Sequence, residues 1–175
     1  MIFTGLCIAL CIVVPMAFHA IPNAGSIFAP MHLPVYICGF VCGWQYGLVC
    51  GLAGPLLSSL LTGMPPAAIL PAMMVELAVY GLVSAIMLKV VNTKKIAADL
   101  YISLIVAMLS GRVIAAIAKA LIFARGQASI EMLATSYFVT CLPGIAIQLA
   151  IIPALYLALE KARVIDKKYV KKADE

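Results

Sequence analysis

The chain has 175 residues, of which 65% are hydrophobic and only 11% charged, whereas a soluble domain runs near half apolar and a quarter charged. A soluble globular protein is thereby excluded. The length suits one domain of about six membrane-spanning helices at ~20 residues each with short connections. Nothing is left over for an ATPase, a kinase or a receptor ectodomain, so any such chemistry comes from partners.

The net charge of +5 would raise the question of nucleic acid in a soluble chain, but its placement reads as topology and no nucleic-acid partner is expected. Nine of the twelve Lys and Arg residues lie in two places. Lys89, Lys94 and Lys95 mark one short connection, and Lys161, Arg163, Lys167, Lys168, Lys171 and Lys172 mark the C-terminal tail. By the positive-inside rule both places are cytoplasmic. Cys7, Cys11, Cys38, Cys42, Cys50 and Cys141 fall inside apolar runs without a C-x-x-C pair, which reads as small apolar filling rather than a metal or disulfide framework.

The first apolar run, Ile2 to Phe18, has no Lys or Arg before it, so a retained helix is a better reading than a secretory signal cleaved near Ala20. A loop with Asn23 and His32 follows. The next run, Pro34 to Leu61, is too long for one helix across a ~30 Å core. Trp44-Gln45-Tyr46 between two glycines predicts a hairpin, with helices at about 34–44 and 47–61. Gly39, Gly43, Gly47 and Gly51 recur every four residues, and across a turn they predict tight backbone packing of two short helices.

Gly63-Met64-Pro65-Pro66 then punctuates the chain before a fourth helix at 69–91, a fifth at 96–124 and a sixth at 136–159, with a basic cytoplasmic tail at 160–175. The fold class expected is therefore an all-α integral membrane bundle of six helices with both termini cytoplasmic. Pro15, Pro55, Pro143 and Pro153 lie in or near these spans and suggest kinks around a cavity.

An ionisable side chain deep in a bilayer needs a partner or a watery cavity. Glu76 stands about two turns inside the fourth helix, and Arg112 and Lys119 lie on one face of the fifth, Lys119 close enough to the surface to snorkel. One reading is an internal Glu76–Arg112 salt bridge that ties two helices together; the other is a site for an anionic or zwitterionic small molecule. Tyr80, one turn below Glu76, and Gln148 at similar depth in the sixth helix are candidate site residues or helix-to-helix hydrogen bonds. His32 and Asn23 are candidates to close over the site from the outer loop. No nucleotide-binding, zinc-hydrolase or serine-hydrolase motif occurs in the sequence, and no channel-like filter stands out, so no enzymatic activity or metal site is expected.

Several patches appear in order: Met31-His32-Leu33-Pro34-Val35, Cys38 to Leu48, Gly63-Met64-Pro65-Pro66, Val75 to Gly81 and Gly111-Arg112. Together the chain resembles the substrate-specific S component of energy-coupling factor (ECF) vitamin transporters over nearly its whole length. The resemblance implies a vitamin-sized ligand held near the outer face by the later helices and outer loops. It also implies a complex with a transmembrane coupling subunit and two cytoplasmic ATPases in the bacterial plasma membrane, so that ATP is hydrolysed by the partners and the subunit itself carries no cofactor.

The family's first helix docks on the coupling subunit through A-x-x-x-A, and the matching positions here are Gly5 and Ala9, with Gly in place of the first Ala. The N-terminal Met-His segment of the family's nickel and cobalt binders is absent. A buried Arg favours a carboxylate-bearing vitamin, with pantothenate first and lipoate, niacin, folate or cobalamin behind it. A stand-alone secondary carrier or channel for a small polar solute is the alternative.

Overall fold

The structure, a computed structural model, describes residues 1–17, 29–120 and 141–165. Among these residues it is all helical: α1 Ile2–Ala17, α2 His32–Cys42, α3 Trp44–Thr62, α4 Leu70–Val90, α5 Ile96–Ala118 and α6 Leu142–Lys161. Helices α4, α5 and α6 are long and apolar enough to cross a membrane, while α1 and α2 are shorter apolar helices. The expected end of the fifth helix at 124 and start of the sixth at 136 fall outside the described residues, as does Asn23.

The hairpin exists, but its turn is one residue earlier than predicted. Gly43 adopts a φ of 95°, a conformation that glycine reaches without steric cost, and Trp44, Gln45 and Tyr46 form the first turn of α3. On a continuous helix Gly39 and Gly47 would stand about 12 Å apart along the axis. Here a Cβ added to Gly47 would lie 2.8 Å from the Gly39 Cα, so the chain doubles back at once.

The four-residue glycine spacing survives this reversal because both arms lean on a third element. Cβ atoms at Gly39 and at Gly47 would each collide with the Gly81 carbonyl in the middle of α4, and one at Gly51 would collide with the Leu77 carbonyl. Side chains are absent so that three backbones can meet, as between membrane helices generally. The result is a block in which α4 packs against α2, α3 and α5.

Helix α1 lies across α2 and α3. Its inward face is Thr4, Cys7 and Cys11, and Cys7, Cys11, Cys38 and Cys50 join the apolar core as free thiols, as their setting in apolar runs suggested. Of the four prolines, Pro15, Pro55 and Pro153 are interior to α1, α3 and α6. Pro143 instead opens α6, where its missing N–H has no intrahelical partner to lose.

The α4–α5 connection is held by Asp99, fully buried in the first turn of α5. Its Oδ1 accepts hydrogen bonds from the Thr93 backbone N–H at 2.9 Å and from the Thr93 hydroxyl at 2.6 Å. A tight connection makes α4 and α5 antiparallel neighbours. Residues near the start of α4 and near the end of α5 are thereby brought to the same end of the bundle.

Candidate functional site

Glu76 lies six residues inside the start of α4, Arg112 six inside the end of α5 and Gln148 six inside the start of α6, each about 9 Å deep by helix rise. All three share the end of the bundle away from Lys89 to Lys95. Tyr80 follows Glu76 by one helical turn, and its hydroxyl donates to Glu76 Oε1 at 2.5 Å. Arg112 Nε donates to the same hydroxyl at 3.2 Å. The contact between Glu76 and Arg112 therefore runs through Tyr80, where a direct salt bridge was one expectation.

Gly111 makes this contact possible. A Cβ there would run into the Tyr80 ring, so α5 comes close enough for the next residue, Arg112, to reach the hydroxyl. Arg112 is 3% exposed, which takes its guanidinium stem out of solvent.

His32 corrects the sequence reading most. It was expected in an outer loop ahead of a helix beginning at Pro34, yet it sits in the first turn of α2 and is buried. His32 is helical because the chain enters α2 in αR geometry at its N-cap, Met31, and Pro34 falls in the first turn, where a missing N–H is tolerated. Its Nε2 lies 3.9 Å from Glu76 Oε1, and its ring is 5.3 Å from that of Tyr80. Glu76 thus stands between a tyrosine and a histidine.

Tyr36, one turn after His32, was not among the residues singled out from the sequence. It stacks on Tyr80 at 5.1 Å and is followed by Phe40 at 6.5 Å, which meets Tyr156 of α6 edge-on at 6.1 Å. The signal was present: once α2 starts at His32, positions 32, 36 and 40 share a face. Cys141, at the start of α6, was also passed over as filling, although it lies within electrostatic reach of both Arg112 and Glu76.

Several polar atoms at this end are buried without a hydrogen-bond partner among the described residues: His32 Nδ1, the Tyr36 hydroxyl, and both Oε1 and Nε2 of Gln148. Gln148 makes no helix-to-helix hydrogen bond among the described residues. Such groups are costly to bury unless something pairs with them. The end of the bundle therefore combines a guanidinium, a carboxylate, an aromatic wall and unused hydrogen-bonding capacity, which suits a small polar molecule carrying an anionic group.

Lys119 follows α5 immediately, half-buried and two turns beyond Arg112. Gly5 and Ala9 lie together on the exposed face of α1, opposite its buried cysteines, and Gly5 has nothing within 4 Å of where its Cβ would be. Among the described residues no group of three or more His, Cys, Asp or Glu side chains is arranged to hold a metal ion.

Comparison with known proteins agrees with the helical architecture. The family model described as "ECF transporter, substrate-specific component" matches residues 1–156. No curated protein matches the chain.

Proposed function

The chain belongs to the family of ECF transporter substrate-specific components, and from that premise we propose that it is the high-affinity binding subunit of an ATP-driven importer for a carboxylate-bearing vitamin, pantothenate first among them. As a family member it is the substrate-specific, membrane-embedded subunit of an ECF importer and works with an ECF transmembrane and ATPase module. Lipoate, niacin, folate and cobalamin are the further candidates.

The reading adopts six membrane-spanning helices within one transmembrane domain. Both termini and the Lys89–Lys95 connection face the cytoplasm of a bacterial cell, and the Arg112 end opens outward. The charge asymmetry supports this orientation, since Lys89, Lys94 and Lys95 cluster at the α4–α5 connection and six further basic residues follow from Lys161 onward in the sequence. A coupling subunit docks on the face of α1 that carries Gly5 and Ala9, where two small side chains let another helix approach. Two cytoplasmic ATPases hydrolyse ATP, and the binding subunit needs no cofactor of its own.

One observation supports the ligand assignment: Arg112 is buried at the end of the bundle away from Lys89 to Lys95, and it is linked to Glu76 through the Tyr80 hydroxyl. A guanidinium presents its donors as a planar fork, for which a carboxylate is the natural bidentate partner, and in Arg112 the Nε edge of that fork donates to Tyr80. Glu76 then acts through Tyr80 to orient the fork. His32 and Lys119 border the same end, and Asn23, outside the described residues, is kept as a candidate contact. The test is calorimetric titration of the purified subunit with pantothenate, run beside an Arg112→Met variant. Binding that is lost in the variant supports the assignment, and binding of equal strength in both proteins removes Arg112 from the site.

A further inference from the structure

The carboxamide of Gln148 is fully buried, and neither its oxygen nor its nitrogen has a hydrogen-bond partner among the described residues. A hydroxyl left alone can rotate, but a carboxamide presents a fixed acceptor and two fixed donors side by side. Burying both halves unpaired stores a large cost against the ligand-free state, and a ligand that pairs with both recovers it.

Three independent relationships place this group at the site. Gln148 shares the depth of Glu76 and Arg112 from the same end of the bundle. Phe40 and Tyr156 pack at 6.1 Å and fix α2 and α6 in parallel register, and eight residues back from each stand His32 and Gln148, level with one another. Cys141 lies seven residues before Gln148, hence almost on the same face of α6, and is within electrostatic reach of Arg112 and Glu76. Gln148 thus lies on the buried side of α6, the side that also carries Tyr156 against Phe40 of α2.

We infer that Gln148 reads an amide-type group on the ligand, a unit offering both an N–H donor and a C=O acceptor, while Arg112 holds the acid. The substrate is accordingly an acid that also contains an amide, ureide or lactam. His32 Nδ1 and the Tyr36 hydroxyl supply further pairing along the same wall. This inference rests on the carboxylate reading of Arg112, and it divides the candidate vitamins: pantothenate and folate have both an acid and such a unit, lipoate and nicotinate have the acid alone, and cobalamin has amides but no carboxylate; biotin, a further acid with a ureide, serves as a probe. Lipoate and biotin are a matched pair, since both carry a five-carbon acid chain on a sulfur ring and differ chiefly in the ureide.

The test measures thermal unfolding of the full chain in detergent, as wild type and as Gln148→Leu, alone and with each of five compounds in excess: pantothenate, biotin, folate, lipoate and nicotinate. Without any compound, Gln148→Leu is expected to melt several degrees higher, because a similar-sized apolar group replaces an unpaired polar one. A lower melting point would show that Gln148 is paired within the fold and would overturn the inference. With compounds, at least one of pantothenate, biotin and folate should stabilise the wild type, and Gln148→Leu should weaken that compound's binding tenfold or more. Stabilisation by lipoate or nicotinate, equal in wild type and variant, overturns the role of Gln148 while leaving the acid-binding role of Arg112 intact. No stabilisation by any of the five overturns the carboxylate reading and this inference with it.

Discussion

Gly111 and Tyr80 are in such close register that one methyl group on the glycine would occupy the edge of the tyrosine ring. That ring is 0% exposed and stacked on Tyr36, so it has nowhere to retreat. The approach of α5 to α4, and with it the reach of Arg112, is thus set by an absent side chain.

Gly111→Ala is expected to destabilise the protein by about 1–3 kcal/mol, the usual range for overpacking a well-filled interior. It should also weaken ligand binding, because Arg112 moves away from the Tyr80 hydroxyl. Thermal melting and binding titration on the same preparation check both. A variant with wild-type stability and affinity would contradict the tight register.

Tyr80→Phe keeps the ring and its stacking on Tyr36 but removes the oxygen shared by Glu76 and Arg112. Loss of a hydrogen bond to charged groups is worth about 1.5–3 kcal/mol. The expected result is ligand affinity lowered at least tenfold, with a melting temperature that changes less than in Gly111→Ala.

Arg112→Met separates a binding role from a purely structural one. If the guanidinium holds the ligand's carboxylate, affinity falls by about 1.5–3 kcal/mol or more, and the protein stays folded. If Arg112 only ties α5 to α4, the melting temperature falls and affinity per folded molecule does not. Both quantities are read in one titration series followed by melting.

Gly5→Trp and Ala9→Trp place a large ring on the exposed face of α1, away from the core. Transport into cells that carry the complete importer should be abolished, while the isolated subunit binds its vitamin as before. Small residues permit close helix approach and a bulky one prevents it. Transport that persists in both variants would remove this face as the docking surface.

Orientation can be read by labelling single cysteines with a membrane-impermeant maleimide, in a background from which the native cysteines are removed. Met64→Cys and Lys94→Cys both place the thiol at an exposed position, at opposite ends of α4. Intact cells should be labelled at 64 and spared at 94. The reverse pattern would invert the proposed topology.

Among the described residues, where the helices lie was legible because apolar runs and turn residues alternate plainly along the chain. The hairpin was legible from the length of the run and the Gly-flanked Trp44-Gln45-Tyr46, but the exact position of its turn was not. Trp44 drew attention as an interface-seeking residue, while the backbone requirement fell on Gly43 with its φ of 95°. At the site, Glu76 and Arg112 were legible because the cost of burying charge makes them conspicuous, and Tyr80 because it stands one helical turn from Glu76; the structure joins the three.

His32 was misplaced for a different reason: Pro34 looked like a helix start, and leaving out the two residues before it concealed that positions 32, 36 and 40 share a face. Tyr36 was lost with it. The Tyr80 bridge between Glu76 and Arg112 was out of reach altogether, since periodicity gives depth and face but not which of three polar groups stands in the middle. Cys141 was hidden by its own chemistry, being indistinguishable in sequence from the thiols that only fill space.

The glycine seam on α4 inverts the usual map of mutational tolerance. In a water-soluble protein the large apolar side chains are the sensitive positions and glycines in helices are weak points that alanine improves. Here Ile105, Leu109 and Val113 of α5 are exposed and face what lipid would cover, so exchanging one apolar group for another there changes little. Adding a single methyl at Gly39, Gly47, Gly51 or Gly81 instead forces two main chains apart, with no side chain available to yield. Sequence drift in relatives of this chain is therefore expected to run freely through its bulkiest residues and to halt at its smallest.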